Sequence, residues 1–165
     1  SLIFGRISEE IDALNTAGVS WKIVPGITAA SGAAASNGIP LTCRTDSHAV
    51  TYITAHNKQG VLDIDWEIAT RPNHTVVFYM GLSLIDRIAD TLLQRGVPSH
   101  TPFHIIANAT RPNEFALHST LGDIISDVEQ YEIPSPALLI LGPDRRVTET
   151  ADDQTHVRLG LPQSY

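Results

Sequence analysis

The heptapeptide VPGITAA at residues 24–30 decides the fold predicted for this chain, because it joins a short apolar run to a helix of very small residues. Residues 21–24 predict a buried strand, and Pro25-Gly26 is a turn signal that ends it. The alanine-rich segment at residues 28–36 predicts a helix, and Asn37-Gly38 is a natural stop for it. The stretch therefore predicts a strand, a tight turn and a helix in immediate succession.

This predicted corner has two interpretations. The first backbone N–H groups of a helix have no partner within the helix, so the corner could receive a polar or anionic ligand. The small residues could equally serve only to bring the helix backbone close to a neighbouring strand. The residues alone leave both interpretations open.

The composition narrows the class of protein. A length of 165 residues, with 42% hydrophobic and 18% charged residues, fits one well-buried domain or one domain with part of another. No apolar run approaches the ~20 residues that span a bilayer, so we expect no membrane helix. The single cysteine, Cys43, cannot form an internal disulfide, which is typical of a reducing cytoplasm. A net charge of −7 with scattered basic residues argues against nucleic-acid binding.

The N-terminus begins without an initiator Met and reads like the middle of a longer sequence. We therefore expect that an N-terminal portion is absent. Residues 8–16 carry an apolar spacing that predicts an amphipathic helix ending near Gly18.

A second unit is predicted after this start. The expected domain limits are residues 1–38 for the end of a first α/β domain, 39–47 for a linker, 48–142 for a second α/β domain, and 143–165 for a polar tail or partner-docking arm. Strands are predicted at residues 49–54, 75–80, 102–107, 115–119 and 136–142, and helices at 64–68, 83–95 and 121–128.

Metal chemistry is not indicated by the histidines. His100 and His104 are four residues apart, but Pro102 lies between them and disfavours a shared helical face. Three turns that join an apolar run to a helix through Gly remain as ligand candidates, at residues 3–6, 25–30 and 78–82. Met80 could be core or ligand contact, and Arg6 could be a surface charge or a partner for a substrate carboxylate.

Five segments in the same order resemble one known family. They are SLIFGRISEE at residues 1–10, IVPGITAA at 23–30, GIPLT at 38–42, TAH at 54–56 and VFYMG at 77–81. Together they are similar to the uroporphyrinogen-III C-methyltransferases of the tetrapyrrole methylase family, which use S-adenosylmethionine. The resemblance extends from Ser1 to about Gly142.

The resemblance implies a fold, a cofactor site and an assembly. It implies the end of a parallel-sheet first domain followed by a complete mixed-sheet α/β second domain, with S-adenosylmethionine in the cleft between the two domains, and a homodimer. By position in these segments, the cofactor contacts would be Ile3, Thr28, Ala29 and Met80. A further contact would be Ala109, within Asn108-Ala109-Thr110, which matches the family's Gly that follows Glu-Asn in the second domain. No metal is implied.

The sequence also departs from the family pattern. Ser1 stands where the family has Pro, and Ile7 and Ala109 stand where it has Gly. A Gly-to-Ala change at position 109 is mild where φ is negative and obstructive where it is positive. The first-domain Gly-Pro-Gly-Asp and Gly-Gly-Asp loops and the proposed acid and base are missing, so we expect no catalytic residue in this portion and no activity from it alone.

The implied reaction is the twofold C-methylation of uroporphyrinogen III to precorrin-2, on the route to siroheme or cobalamin. That substrate carries eight carboxylates, so Arg6, with Arg44 or Arg111, is a candidate for local positive charge at the cleft. Two alternatives stay open: a methylase for a later precorrin, and a non-catalytic remnant that dimerises or regulates a partner.

Overall fold

A six-stranded mixed sheet forms the centre of the computed structural model, which describes residues 2–55 and 62–142 and the backbone of residues 157–159. The order across the sheet is β1-β2-β5-β3-β4-β6; β1 and β2 run parallel, and every other neighbouring pair is antiparallel. The mixed-sheet α/β fold predicted from the sequence is thus confirmed. The strands are β1 Ala49–Thr54, β2 His74–Tyr79, β3 Pro102–Ala107, β4 Phe115–Thr120, β5 Ala137–Leu141 and β6 Val157–Leu159.

The predicted helices are also present, with ends that differ by one to a few residues, as is common for helix boundaries. A 3₁₀ turn at Leu82–Leu84 leads into α4. In α3 the side chain of Asp65 caps the helix by accepting hydrogen bonds from two backbone N–H groups. The helices are α1 Ile7–Thr16, α2 Ala29–Ser36, α3 Trp66–Ala69, α4 Ile85–Gln94 and α5 Ile124–Val128.

Successive residues of each strand point to opposite faces of the sheet, so β2 contributes to two cores. Val76 and Phe78 join a large apolar cluster that includes Ile88 and Leu92 of α4. Helices α3 and α5 pack on the same face. Large apolar side chains of α4 and of the strands therefore pack together and bury this face of the sheet.

The opposite face of the sheet is covered differently. Ala30 and Ala33 of α2 are fully buried against a cluster that contains Val77, Tyr79 and Ile140. Because these helical side chains end at Cβ, the α2 backbone lies close to the strands. The small residues of α2, including Ala30 of the opening heptapeptide, thus do serve close packing.

The predicted strand at residues 21–24 is wrong. These residues have no strand assignment, and Val24 and Trp21 are 78% and 44% exposed. A strand needs a neighbour to pair with, and in the described part of the chain the six strands all belong to the sheet that begins at β1. The apolar alternation of residues 21–24 suits a strand, but such a pattern cannot show whether a neighbouring strand exists for it to pair with.

Other predictions fall partly outside the described residues. These include Ser1, His56 of the TAH motif, and most of the tail predicted from residue 143. Within that tail, Val157–Leu159 pairs antiparallel with β4, an element that the polar sequence did not predict. No helix among the described residues has the length and apolar character needed to cross a membrane.

Candidate functional site

A cavity of about 720 Å³ opens where β2 and β3 end and β5 begins, beside the start of α2. Its size is in the usual range for small-molecule sites, roughly 300–1,000 Å³. We call it the cleft cavity. Its lining consists of residues 27–29, 32, 79, 80, 82, 83, 106, 108–111 and 135–138.

Four of the five predicted cofactor contacts are brought together in this cavity. Thr28, Ala29, Met80 and Ala109 all line it, although they come from three segments far apart in the sequence. Ile3 is outside the lining. Their contact with a cofactor remains a prediction, but their proximity is a property of the fold.

Of the predicted cationic residues, only Arg111 lines the cleft cavity, and Arg44 does not. Arg6 also lies outside the lining and is highly exposed, and its guanidinium pairs with the carboxylate of Glu9 one turn along α1. That hydrogen bond, reinforced by the carboxylate's charge, raises the pKa of the Arg6 guanidinium. In this structure Arg6 is therefore engaged locally at the helix start.

Tyr79 connects the sheet to the beginning of α2. Its hydroxyl oxygen accepts a hydrogen bond from the backbone N–H of Ala30 at 3.0 Å and shares a short one with the hydroxyl of Thr28. Thr28 is the N-cap of α2, yet its side chain makes no capping hydrogen bond within the helix. Tyr79 therefore provides the acceptor that a capping side chain usually provides.

The ring of Tyr79 also contacts the first predicted turn. The ring centroid of Phe4 lies 4.9 Å from that of Tyr79, and the Tyr52 ring lies 6.0 Å from it in an edge arrangement. Such tilted aromatic pairs are favourable beyond their buried area. Tyr79 thus touches the N-terminal segment and α2, and it immediately precedes Met80. Sequence reasoning missed it because, in a nearly all-apolar strand, a terminal Tyr reads as core.

The backbone of the cavity wall is unusual. Met80, Asn108 and Thr110 have φ values of 55°, 50° and 66°, in the left-handed region that residues other than glycine seldom adopt. Each such residue costs on the order of 1–3 kcal/mol and is typical of functional sites. Ala109 is not among the left-handed residues, so alanine is not strained at the position where the family has glycine.

A second connection holds the far end of α2 to the loop after β3. One carboxylate oxygen of Glu114 accepts the backbone N–H of Thr110 at 2.5 Å, and the other accepts the side-chain amide of Asn37 at 3.2 Å. Between these points, a Cβ added to Gly32 would lie 3.3 Å from the methyl carbon of Thr110. The helix and the loop therefore form one closely fitted wall.

The chemistry of the lining favours binding over proton transfer. Apolar side chains dominate it, Arg111 is the charged residue among the described lining residues, and those residues include no histidine, cysteine or carboxylate. No group of three or more metal-ligating side chains occurs in the part of the chain that the structure describes. The wall therefore suits a small amphipathic molecule with a few polar groups.

Comparison with known proteins gives consistent matches. The family model for Tetrapyrrole (Corrin/Porphyrin) Methylases matches residues 1–125. A siroheme synthase from Hahella chejuensis is 44% identical over 140 residues, which cover 85% of this chain and 30% of that protein. The chain thus spans about 30% of the length of the curated relatives it matches.

Solved structures agree with this result. A uroporphyrin III C-methyltransferase from Thermus thermophilus in its native form superimposes with a TM-score of 0.71 and 31% identity, over 86% of this chain and 59% of that chain. The same enzyme complexed with S-adenosylhomocysteine gives a TM-score of 0.70 at 31% identity, over 86% and 61% of the two chains.

Proposed function

Because the chain belongs to the tetrapyrrole methylase family, we propose that its cleft cavity is one wall of an S-adenosylmethionine site, in a protein that C-methylates uroporphyrinogen III. The observation that carries the proposal is the convergence of Thr28, Ala29, Met80 and Ala109 on one cavity. They were assigned to the cofactor from three separate motifs, one of which contains both Thr28 and Ala29.

Two relatives support the choice of ligand and substrate. The Thermus thermophilus enzyme, named for uroporphyrin III, binds S-adenosylhomocysteine, and the Hahella chejuensis relative is a siroheme synthase. The reaction assigned to the complete protein is the formation of precorrin-2. A product mass that corresponds to methylation of a later precorrin would redirect the substrate assignment and leave the site assignment in place.

The residues of the cavity fit such a ligand. The start of α2 presents Ala29, which has no side chain beyond Cβ, so a ligand can approach the helix backbone closely. Met80 is 52% exposed at the cavity wall, and its flexible thioether suits packing on flat rings. The hydroxyl of Thr28 and the amide of Asn108 add polar groups to a largely apolar wall.

S-adenosylmethionine would supply an electrophilic methyl group, which a nucleophilic pyrrole carbon takes as the carbon–sulfur bond breaks and S-adenosylhomocysteine leaves. Because that carbon is then fully substituted, the balancing proton would leave from another position of the macrocycle. The described residues would contribute position and exclusion of water. Arg111 would offer a planar fork to a substrate carboxylate. The described lining offers no carboxylate or histidine for removal of the proton, so in this proposal the base would come from another part of the protein.

A pair of variants in α2 tests the proposal. Ala29→Phe places a ring in the cleft cavity, and Ala35→Phe places the same ring on the exposed face of the same helix, away from the lining. We expect Ala29→Phe to weaken binding of S-adenosylhomocysteine at least about tenfold and Ala35→Phe to change it by less than about twofold. Isothermal titration calorimetry measures both, on this chain and on the product of the complete gene.

Absence of binding by the complete gene product would refute the cofactor assignment. Equal losses in both variants would mean that the ligand does not occupy the cleft cavity. Mass spectrometry after incubation with uroporphyrinogen III tests the substrate separately, and failure of turnover with intact binding would favour the non-catalytic alternative. The proposed homodimer is tested by light scattering of the same sample.

A further inference from the structure

A second cavity lies at the opposite end of the sheet from the cleft cavity. It has a volume of about 460 Å³ and opens where β2 and β3 begin and β5 ends. Strands of six residues separate the two ends by roughly 17–20 Å. We call it the basal cavity. Its wall includes Arg71, Arg95, His74 and His100.

The basal cavity concentrates positive charge in an acidic protein. Two of the eleven basic residues line it, although the chain carries a net charge of −7. Within the described part of the chain, neither Arg71 nor Arg95 forms an ion pair with a carboxylate. The guanidinium of Arg95 lies 5.8 Å from the centre of the Trp66 ring, a cation–π contact that positions the group without neutralising it.

Asp46 is the carboxylate among the lining residues, and its own loop engages it. One of its oxygens accepts a hydrogen bond from the hydroxyl of Thr45 at 2.8 Å and a weaker one from the thiol of Cys43 at 3.9 Å. These two contacts hold the Asp46 carboxylate within the loop before β1.

His74 lies beside Arg71 in this wall. Its ring nitrogen Nε2 lies 2.6 Å from the hydroxyl of Thr51, and burial, with a smaller contribution from the charge of Arg71, lowers the pKa of this imidazole. Burial disfavours a charge of either sign. The charge of Arg71 is the part of this environment that would attract an anion.

We propose that the basal cavity binds a small multivalent anion, a phosphate or a compact polycarboxylate, held by the guanidinium forks of Arg71 and Arg95. Guanidinium groups match both kinds of oxyanion by paired hydrogen bonds. The volume is about two thirds that of the cleft cavity, which favours a ligand smaller than the one proposed there. This site is independent of the proposed methyl transfer and remains meaningful if that assignment fails.

The test uses inorganic phosphate and citrate as probes for the two classes of anion. Each is titrated into the intact chain at constant ionic strength maintained with sodium chloride, and binding is followed by calorimetry and by the NMR signals of His74 and His100. We expect saturable binding of at least one probe with shifts of those signals. Binding of phosphate alone, of citrate alone or of both identifies the class of anion.

Three single variants make the test specific. We expect Arg71→Gln and Arg95→Gln each to weaken the binding about tenfold or more, because each removes a charged hydrogen-bond donor. Arg87→Gln removes the same charge from the exposed side of α4, outside the basal cavity, and is expected to change affinity less than about twofold. Thermal unfolding of Arg95→Gln checks whether loss of its contact with Trp66 disturbs the fold, whereas Arg71 lies on an exposed turn.

Two results would overturn the proposal. One is the absence of saturable binding of either probe. The other is an equal loss of affinity in Arg87→Gln and Arg71→Gln, which would show a response to net charge and no site.

Discussion

Replacing Tyr79 with phenylalanine removes a single oxygen atom from the junction between the sheet and α2. The ring contacts with Phe4 and Tyr52 are retained, because they depend on the ring itself. The hydrogen bond with the Thr28 hydroxyl is lost, and so is the acceptor for the N–H of Ala30, a residue with no exposed surface. The perturbation is therefore confined to one polar junction.

The magnitude follows from what happens to the Ala30 N–H. A buried donor left without an acceptor costs about 1–3 kcal/mol. Thr28 is at the N-cap, so its freed hydroxyl can rotate to accept that N–H and recover part of the loss. We expect Tyr79→Phe to lower the free energy of unfolding by about 1 kcal/mol and the double variant Tyr79→Phe/Thr28→Val to lower it by about 2–3 kcal/mol.

Urea unfolding followed by circular dichroism measures both values, and a matched control is available. Tyr131 packs against Phe115 in a tilted arrangement with ring centroids 5.9 Å apart, and its hydroxyl makes no hydrogen bond to another described residue. Tyr131→Phe is expected to change stability by less than about 0.5 kcal/mol. Calorimetry with S-adenosylhomocysteine should show weaker binding by Tyr79→Phe, since the start of α2 loses its anchor.

A double variant as stable as the wild type would refute the stabilising role of the Tyr79 hydroxyl. Equal effects of Tyr79→Phe and Tyr131→Phe would refute it as well, because the polar junction would then contribute nothing specific. A loss of stability without any change in ligand affinity would leave the junction as a structural feature and separate it from the cleft cavity.

Four variants probe the structure around the two cavities. Glu114→Ala removes the acceptor for the Thr110 N–H, and we expect a loss of about 1 kcal/mol in urea unfolding with a several-fold weaker affinity for S-adenosylhomocysteine. Ala33→Leu forces extra volume between α2 and the sheet, where the native side chain has no exposed surface, and should cost about 1–3 kcal/mol in the same assay. Because the pKa of His74 is lowered on folding, the unfolded state binds its proton more readily, so stability should fall as pH decreases below about 6.5. Urea unfolding at several pH values should show a flatter pH dependence of stability for His74→Gln. Arg71→Gln should flatten it less, because burial lowers the His74 pKa more than the charge of Arg71 does. An unchanged pH dependence in His74→Gln would show that His74 is not its cause.

Much of the sheet was predictable because its strands are strongly apolar and each is bounded by a clear turn signal. The β2 and β3 segments are found within one residue of their predicted limits. Residues 21–24 were mispredicted for the opposite reason, since alternation describes one strand and says nothing of its neighbours. The sequence pattern therefore identified the strands whose pairing partners are present in the described chain, and it failed for the segment that has no such partner there.

The candidate site was predictable to a different degree. Motif positions selected Thr28, Ala29, Met80 and Ala109, and these line one cavity because each stands at a turn that the fold brings to the same end of the sheet, whereas Ile3, selected in the same way, lies outside it. The left-handed backbone of Met80 and Thr110 was not predictable, as neither residue type favours that region. Glu114 was missed because its partners, Asn37 and the Thr110 N–H, are defined only by tertiary contact.

The alanine helix α2 has a consequence for the dynamics of the protein. Its buried side chains end at Cβ, so each contributes little apolar burial, and eight residues are too few for a helix to persist alone in water. Its attachment to the sheet therefore depends heavily on the polar contacts at its two ends, through Tyr79 and Glu114. We expect the α2 amides to exchange with deuterium by local opening, well before those of β2, and a ligand in the cleft cavity to slow that exchange. Local opening of α2 would then set the rate at which a molecule enters and leaves the cleft cavity.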